Sequence, residues 1–265
     1  MHRFFLSGED SGQRGPALQP GAVVEITGSD AEHMARVLRC VPGDRVVLCD
    51  GNGLDYAAEL VAVTTARVSA RVLSSAPSRG EPPVFLTLLQ GVPKADKMDL
   101  IVQKAVEAGV SRIVPVFTAR TVVAWDEAKA EARRRRWQRI AYEAAKQAQR
   151  GRVPEVTRAV ALLDVLGTLG EQADQRGHLI VPWEEAGAQG LRAVLRGLKP
   201  GSVTVLIGPE GGLTPAEVSA AEGHGAHIVT LGPRILRTET AGLVAASIIL
   251  YEWGDLGGPA PGWLS

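Results

Sequence analysis

The sequence has little of several features that would place a protein in a special class. Its two cysteines, Cys40 and Cys49, could form at most one disulfide, and we interpret them as buried thiols of a reducing compartment. No apolar run of about eighteen residues is present, which excludes a transmembrane helix, and the apolar segment near the amino terminus is too short for a secretory signal. Lys plus Arg equals Asp plus Glu at 29 each, so the net charge gives no argument for a polyanionic partner. We expect a soluble, cytoplasmic protein without a membrane partner.

Motifs of several common enzyme classes are absent as well. The sequence has no phosphate-binding P-loop, no dinucleotide fingerprint and no Gly-x-Ser-x-Gly nucleophile elbow. Its five histidines and two cysteines show no metal-ligand spacing. We therefore expect no metal site and no nucleophilic serine or cysteine.

The amino-terminal part of the sequence has the pattern of a small all-β domain. Short β-type runs cover residues 22–27, 44–49, 56–63 and 67–73. Turn residues separate them, and Asp50-Gly51-Asn52-Gly53 is a strong hairpin signal, whereas only residues 31–40 have a helical pattern. This predicts a small β-barrel. Residues 74–83 break all periodicity and predict a linker, with domains over residues 1–76 and 77–265.

After the linker, strand and helix patterns alternate. Strand-type runs cover residues 84–89, 112–117, 178–182, 203–207 and 227–231. Asp96 begins a predicted helix whose apolar face ends near Gly109, and residues 126–149 form a long predicted helix. A third helix begins at Thr214-Pro215-Ala216-Glu217, which combines a capping box with a proline at the first helical position. The alternation predicts an α/β domain with a mostly parallel sheet.

A glycine-rich turn follows one of these strands. Gly208-Pro209-Glu210-Gly211-Gly212 lies between the strand over residues 203–207 and the helix capped by Thr214. Glycines at the carboxyl end of a buried strand let a ligand approach the backbone closely. The alternative is a turn in which glycine serves geometry alone.

A second unusual segment, residues 231–241, leads into a nearly all-apolar helix over residues 241–250. A helix that is apolar all round is buried or lies in an oligomer interface. Arg234, Arg237 and Glu239 at its start are costly there unless they pair with each other or with a ligand. A structural ion pair is the alternative to a binding role.

Basic residues are concentrated along the predicted long helix. From Arg133 to Arg152 there are eight basic residues against one acid, Glu143. Two interpretations remain open: a solvated helix face, or a surface that contacts phosphates.

Five segments together resemble the RsmE family, bacterial methyltransferases that modify N3 of a uridine in 16S ribosomal RNA. They are Lys94-Ala-Asp-Lys-Met98, Gly208-Pro-Glu-Gly-Gly212, Leu231-Gly-Pro-Arg-Ile-Leu-Arg-Thr-Glu-Thr-Ala241, His33-x-x-Arg36-Val-Leu-Arg39 and Gln147-x-x-Arg150-x-Arg152-Val-Pro-Glu155. The match runs from Arg3 to the last helix in the right order. Lys146 is a departure, because many members carry Glu there, and we leave it out of the catalytic set.

The resemblance implies a fold, a cofactor and partners. The fold is α/β: an amino-terminal PUA-like β-barrel and a carboxyl-terminal SPOUT domain with a deep trefoil knot over about residues 179–254. The cofactor is S-adenosylmethionine. The partners are small-subunit ribosomal RNA, or the assembled small subunit, and a second copy of the chain in a homodimer.

The resemblance also assigns candidate site residues. For the cofactor they are Val181, Pro182, Trp183, Ile207, Gly208, Pro209, Glu210, Gly211, Gly212, Leu231, Gly232, Leu236, Arg237, Thr238, Thr240 and Ala241. For catalysis they are Arg237, Glu239 and Arg3, and for RNA phosphates Arg3, Lys94, Lys97, Arg120, Arg139, Arg150 and Arg152. No metal is implied.

The chemistry explains why arginine is suited to this site. N3 of uridine must lose its proton to become nucleophilic, and a guanidinium near the uracil oxygens stabilises the anion that results. Glu239 could orient Arg237 or accept the proton. Two rival functions stay open: a SPOUT methyltransferase for another RNA nucleotide, and a noncatalytic RNA-binding module.

Overall fold

The computed structural model describes residues 2–6, 18–123, 125–171, 177–185 and 189–258. The chain divides into two compact units, which are described separately. The first unit is Met1–Glu81 with Ala145–Val153, and the second is Pro82–Ala144 with Pro154–Ser265. The assignment of residues 1–76 and 77–265 as functional domains stays a prediction.

The first unit is built on a five-stranded sheet with the order β1-β3-β4-β5-β2. Its strands are β1 (Arg3–Phe5), β2 (Val23–Thr27), β3 (Arg45–Cys49), β4 (Leu54–Val63) and β5 (Arg67–Pro77). Alternate side chains of β3, β4 and β5 are buried, and the core includes Phe4, Leu48, Tyr56 and Leu60. Register shifts in the β4–β5 pairing bend these two strands. The predicted β-rich domain is confirmed.

Two local predictions in this unit need correction, and one strand was not predicted. The helical segment begins earlier and is shorter than residues 31–40: α1 (Ser29–Glu32) continues as one π-helical turn, His33–Val37. Strand β5 extends into the predicted linker because its last residues pair with the start of β4, where Leu54 faces Pro77. Strand β1 was not predicted; at three residues it is too short for an alternation pattern, and it pairs in parallel with β3.

Arg150 lies inside the first unit. Its guanidinium donates to the Glu81 carboxylate, with Nη2 2.9 Å from Oε2, and only 2% of the residue is exposed. The same carboxylate accepts the backbone N–H groups of Gly151 and Arg152, each at 3.0 Å. A guanidinium enclosed in this way stabilises the fold of residues 150–152 and is not presented to solvent. This placement corrects the expectation that Arg150 contacts RNA phosphates.

The second unit contains a parallel sheet with the order β12-β10-β11-β6-β7-β8, and β9 also pairs with β7. Its strands are β6 (Leu86–Gly91), β7 (Arg112–Phe117), β8 (Glu155–Val156), β9 (Val160–Ala161), β10 (His178–Pro182), β11 (Val203–Ile207) and β12 (Ala226–Val229). The helices after residue 81 are α2 (Lys97–Glu107), α3 (Glu127–Gln147), α4 (Leu162–Glu171), α5 (Leu191–Gly197), α6 (Pro215–Gly223) and α7 (Thr238–Glu252). All the pairings within this sheet are parallel, which confirms the predicted α/β class.

The local sequence signals account for these elements. Strand β11 is buried at every residue, as its apolar run predicts, and the predicted apolar face of α2 is buried. The capping box is complete: Thr214 accepts the Glu217 backbone N–H, and the Glu217 carboxylate accepts the Thr214 N–H. No helix in the described part of the chain has the length and apolar character to cross a membrane.

The parallel arrangement decides where the loops lie. Because β6, β10, β11 and β12 run in the same direction, their carboxyl ends meet at one edge of the sheet. Residues 92–96, 183–185, 208–214 and 230–237 therefore emerge at that edge. Three of these loops, residues 92–96, 208–214 and 230–237, contain residues of the motifs that carried the family resemblance. The trefoil knot stays a prediction.

The buried Arg150–Glu81 pair generates a stability prediction. Replacing Glu81 with Gln or Arg150 with Met leaves one uncompensated partner in a desolvated position, so each change lowers the free energy of unfolding by about 3 kcal/mol. Denaturant unfolding of the full chain measures this. Arg67→Gln breaks a solvent-exposed cross-strand pair with Glu25 in the same unit and is expected to cost less than about 1 kcal/mol. Equal losses in the buried and the exposed variants would contradict the structural role of Arg150.

Candidate functional site: the carboxyl edge of the parallel sheet

The glycine turn folds tightly back on itself after β11. The Gly212 N–H donates to the Pro209 carbonyl at 2.9 Å, and Gly212 has a φ of 72°. A Cβ on Gly208 would lie 2.8 Å from the Gly212 carbonyl carbon. Side chains are excluded at both positions, so the turn presents backbone groups to whatever binds there.

The end of β6 is the closest neighbour of this turn in the sheet. A Cβ on Gly91 would lie 2.5 Å from the Pro209 nitrogen and 2.6 Å from its Cδ. Only glycine permits this approach of strand and turn. Gly91 was not among the predicted site residues; its signal is a glycine at the end of an apolar run, but its importance depends on the pairing of β6 with β11.

A buried polar chain connects three segments at this edge. The Gln90 Nε2 donates to the Thr238 hydroxyl at 2.9 Å, and that hydroxyl donates to the Gly208 carbonyl at 2.6 Å. Gln90 is fully buried and Thr238 is 6% exposed. Thr238 was predicted as a cofactor residue from the resemblance, whereas Gln90 was missed.

Charged side chains lie beside the turn. The Lys97 ammonium is 3.0 Å from a Glu210 carboxylate oxygen and 3.4 Å from Glu239 Oε2. The Glu210 carboxylate also accepts the Lys94 backbone N–H. Lys97, predicted to contact phosphate, is therefore engaged by two carboxylates. Arg237 differs: its side chain is 82% exposed, with Nη1 4.0 Å from Glu239 Oε1.

These contacts shift two pKa values in opposite directions. The hydrogen bond to Glu210, supported by the charge of Glu239, raises the pKa of Lys97 despite its partial desolvation. Partial burial works against ionisation of Glu210, but backbone N–H donors and the Lys97 ammonium together lower its pKa. Both groups are therefore charged at neutral pH, and they tie the loop after β6 to the turn after β11.

Two further loops reach the turn. The Arg120 Nη1 donates to the Gly211 carbonyl at 2.5 Å, and the neighbouring Ala119 N–H donates to the buried Glu217 carboxylate at 2.7 Å. A Cβ on Gly212 would lie 2.9 Å from Glu184 Oε1, so the loop after β10 is also in contact. The turn is thus enclosed by segments from several parts of the unit.

The predicted cofactor residues all lie at this one edge. Val181 and Pro182 end β10, and Trp183 follows them. Ile207 ends β11, and the loop after β12 contains Leu231, Gly232 and Leu236. The first turn of α7 contains Thr238, Thr240 and Ala241. Their contact with a cofactor stays a prediction. No group of three or more His, Cys, Asp or Glu residues suited to a metal ion occurs among the residues that the structure describes.

The predicted basic residues differ in exposure, and an exposed side chain can still have a partner, as Arg120 has in Gly211. The exposed ones are Lys94, Arg120 and Arg139 in the second unit and Arg152 in the first. Arg3 belongs to the first unit, where its guanidinium bonds both Asp55 oxygens, at 3.0 and 2.6 Å, and the Ser78 hydroxyl. Its local role is structural.

Lys146, the departure from the family pattern, also has a local partner. Its ammonium lies 2.5 Å from Asp30 Oδ1 and 5.6 Å from the centre of the Phe4 ring, all within the first unit. The charge at this position is therefore neutralised within the unit, which explains how a lysine is accommodated there.

Comparison with known proteins supports the same interpretation. Residues 80–250 match the family model described as an RNA methyltransferase domain, and residues 26–73 match an RNA methyltransferase PUA domain. The "Ribosomal RNA small subunit methyltransferase E" of Bacillus subtilis is 35% identical over 95% of this chain and 97% of its own. The protein of that name from Mycobacterium bovis is 34% identical over 86% of each chain.

Two solved structures are similar over nearly the whole chain. The ribosomal RNA small subunit methyltransferase E of Neisseria gonorrhoeae, bound to S-adenosyl methionine, is 32% identical with a TM-score of 0.81 and covers 97% of this chain and 99% of its own. A putative methyltransferase of Legionella pneumophila in complex with the same cofactor is 29% identical with a TM-score of 0.75, covering 93% and 96%. The chain belongs to the ribosomal RNA small subunit methyltransferase E family of RNA methyltransferases.

Proposed function

We propose that this protein transfers a methyl group from S-adenosylmethionine to N3 of a uridine in the 16S ribosomal RNA of the small subunit. One observation carries the proposal: a tight turn with glycine at three of its five positions lies at the carboxyl edge of a parallel sheet, hydrogen-bonded to the helix start that bears Arg237 and Glu239. Relatives that share the whole chain bind this cofactor or are named as small-subunit RNA methyltransferases.

The residues at the sheet edge fit this cofactor. The backbone of residues 208–212 offers carbonyl and N–H groups in a tight turn where a Cβ is excluded at Gly208 and Gly212. Such groups can hold the neutral adenosine part by hydrogen bonds without adding charge. Half-buried Trp183 and Leu236 would supply apolar surface. When bound, the cofactor supplies an electrophilic methyl group on a positively charged sulfur.

The charged residues would act on the uridine. The exposed guanidinium of Arg237 is the group suited to the uracil oxygens, where it would stabilise the N3 anion. The Glu239 carboxylate, close to Arg237, would orient it or accept the N3 proton. In the transition state opposite charges on sulfur and nucleophile cancel, so a site that excludes water favours the transfer.

RNA binding would be a separate task. The exposed cations Lys94, Arg120, Arg139 and Arg152 are proposed to contact phosphates, and the PUA-type domain is proposed to contribute shape recognition of folded RNA. The homodimer, the cytoplasmic location and the trefoil knot over about residues 179–254 are part of the same proposal.

The central test is methyl transfer from labelled cofactor to small subunits that lack the modification, with the product located by nuclease digestion and mass spectrometry. A single N3-methyluridine is expected. A different methylated base would overturn the proposed substrate. No transfer to any RNA, with cofactor binding also absent by calorimetry, would contradict the catalytic role and favour a noncatalytic RNA-binding module.

Arg237→Ala is expected to lower kcat by about 100-fold or more, because a donor to the developing anion is lost. Its side chain is 82% exposed, so the cofactor Kd measured by calorimetry is expected to stay within about threefold. Arg234→Ala removes an exposed arginine from the same loop and is the matched control. Equal rates for the two variants would remove Arg237 from the mechanism.

The affinity for small-subunit RNA is expected to fall steeply as salt rises, whereas the cofactor Kd changes little, because phosphate contacts release counterions. Lys94→Gln should reduce the slope of log affinity against log salt by about one unit. Lys199→Gln, an exposed lysine that precedes β11 at the opposite edge of the sheet, is the control. An affinity that is flat across the salt range would contradict the electrostatic component.

A further inference from the structure

We propose that Gln90 and Thr238 form a hydrogen-bond relay that sets the orientation of the Gly208–Pro209 peptide and so positions the cofactor turn against Arg237 and Glu239. Both would be positioning residues for methyl transfer. This inference deepens the proposed function and rests on it.

The direction of the relay is fixed by the donors available. A primary amide donates through nitrogen, and a hydroxyl has a single proton to donate. Gln90 Nε2 lies 2.9 Å from the Thr238 Oγ1 and also donates to its neighbouring Gly91 carbonyl at 3.1 Å. Because Thr238 Oγ1 accepts from Gln90, its own proton is directed to the Gly208 carbonyl, 2.6 Å away.

The Gly208–Pro209 peptide, which receives this bond, has one polar group available for hydrogen bonding. Proline has no N–H, so the bond between Gly208 and Pro209 can be oriented by hydrogen bonding only through the Gly208 carbonyl. On its other side the Pro209 ring packs against Gly91. The hydroxyl of Thr238 and the backbone of β6 therefore hold this peptide between them.

The burial of Gln90 indicates that this residue does more than stabilise the fold. Gln90 is fully buried, and its Oε1 has no hydrogen-bond partner among the described residues. This oxygen faces Gly242 beside apolar side chains: a Cβ on Gly242 would lie 3.5 Å from Gln90 Oε1, 3.4 Å from Leu88 Cδ1 and 3.6 Å from Ile207 Cγ1. Leucine would fill such an apolar position without leaving a buried acceptor unpaired. The amide is explained by the bond it donates to Thr238.

The position of Thr238 connects the relay to catalysis. It is the first residue of α7 and lies between Arg237 and Glu239 in the sequence. A bond from Thr238 to Gly208 therefore fixes the spacing between the cofactor turn and the two residues proposed to act on uridine. A misplacement of about 1 Å at such a site is enough to lower the rate strongly.

The first test removes the hydroxyl at constant shape. Thr238→Val is expected to lower kcat/KM for methyl transfer by about tenfold or more, with a higher cofactor KM and a lower kcat. Thr238→Ser keeps the hydroxyl and should restore most of what valine loses. Thr168→Val, which removes an exposed hydroxyl bonded to the Asp164 carbonyl, is the matched control. Thr238→Val with the kcat and KM of the wild-type protein would overturn the relay.

The second test replaces the hydrogen-bond donor at position 90 with an acceptor. In Gln90→Glu the ionised carboxylate can only accept, so above the carboxyl pKa, which burial raises, the Thr238 proton turns from Gly208 to residue 90 and activity falls. Protonation restores a donor, so the ratio of variant to wild-type activity is expected to rise as pH falls. Gln90→Leu should resemble Thr238→Val, and the double variant should be no worse than either single one. A pH-independent ratio, or losses that add fully, would overturn the proposal.

Two measurements separate this inference from the proposed function. The melting temperature of each variant shows that it is folded, and calorimetry gives its cofactor Kd without RNA. If the wild-type protein binds cofactor but makes no methyluridine, the proposed function fails, whereas the relay is still judged by the cofactor Kd of Thr238→Val. If the wild-type protein is active and this variant has the same Kd and rate, the relay alone fails.

Discussion

The contact between Gly91 and Pro209 is the constraint on which the rest of the site depends. Strands β6 and β11 are neighbours in the parallel sheet, so the turn after β11 must pass the end of β6 at backbone distance. A Cβ on Gly91 would lie 2.5 Å from the Pro209 nitrogen and 2.6 Å from its Cδ, too close for either to stay in place. Once the turn lies there, its backbone groups are fixed relative to the loops after β6 and β10 and to the start of α7.

The contacts around the glycine turn are of two kinds, neutral and ionic, and the two kinds differ in the cost of burying them. Inside, near Gly208, the contacts are neutral: glycine backbone, a proline ring and the amide and hydroxyl of Gln90 and Thr238. Outside, near Glu210, they are ionic, and Lys97 links Glu210 with Glu239. Neutral hydrogen bonds survive burial at modest cost, whereas charges are best paired near solvent. The arrangement places each kind where its desolvation cost is low.

Much of this architecture could be predicted from the sequence. The apolar runs over residues 203–207 and 178–182, the capping box at Thr214 and the glycine turn are local signals, and the structure has the strands and the helix at those positions. The family motifs identified the loops that meet at the sheet edge. Each of these signals depends on residues that are close together in the chain.

What could not be predicted depends on residues far apart in the chain. Gln90 is one polar residue in an apolar strand, and its partner Thr238 lies 148 positions away. Arg150 belongs to a run of basic residues, and nothing in that run distinguishes an exposed guanidinium from one enclosed by Glu81, 69 positions earlier. Lys97 likewise has the composition of a phosphate contact but is bound by Glu210. Tertiary partners, not charge, decide what each side chain does.

The exposure of Arg237 follows from the same reasoning. A guanidinium buried without a close partner would cost several kcal/mol, of the order of 3–5. At 82% exposure, with Glu239 4.0 Å away, Arg237 keeps its hydration and the fold bears little of that cost. Its interaction becomes strong only when a bound substrate displaces water, because electrostatic attraction grows as the local dielectric falls. Arg237 at the start of α7 is thus only loosely paired with Glu239. It is stable in the free protein and still able to stabilise an anion.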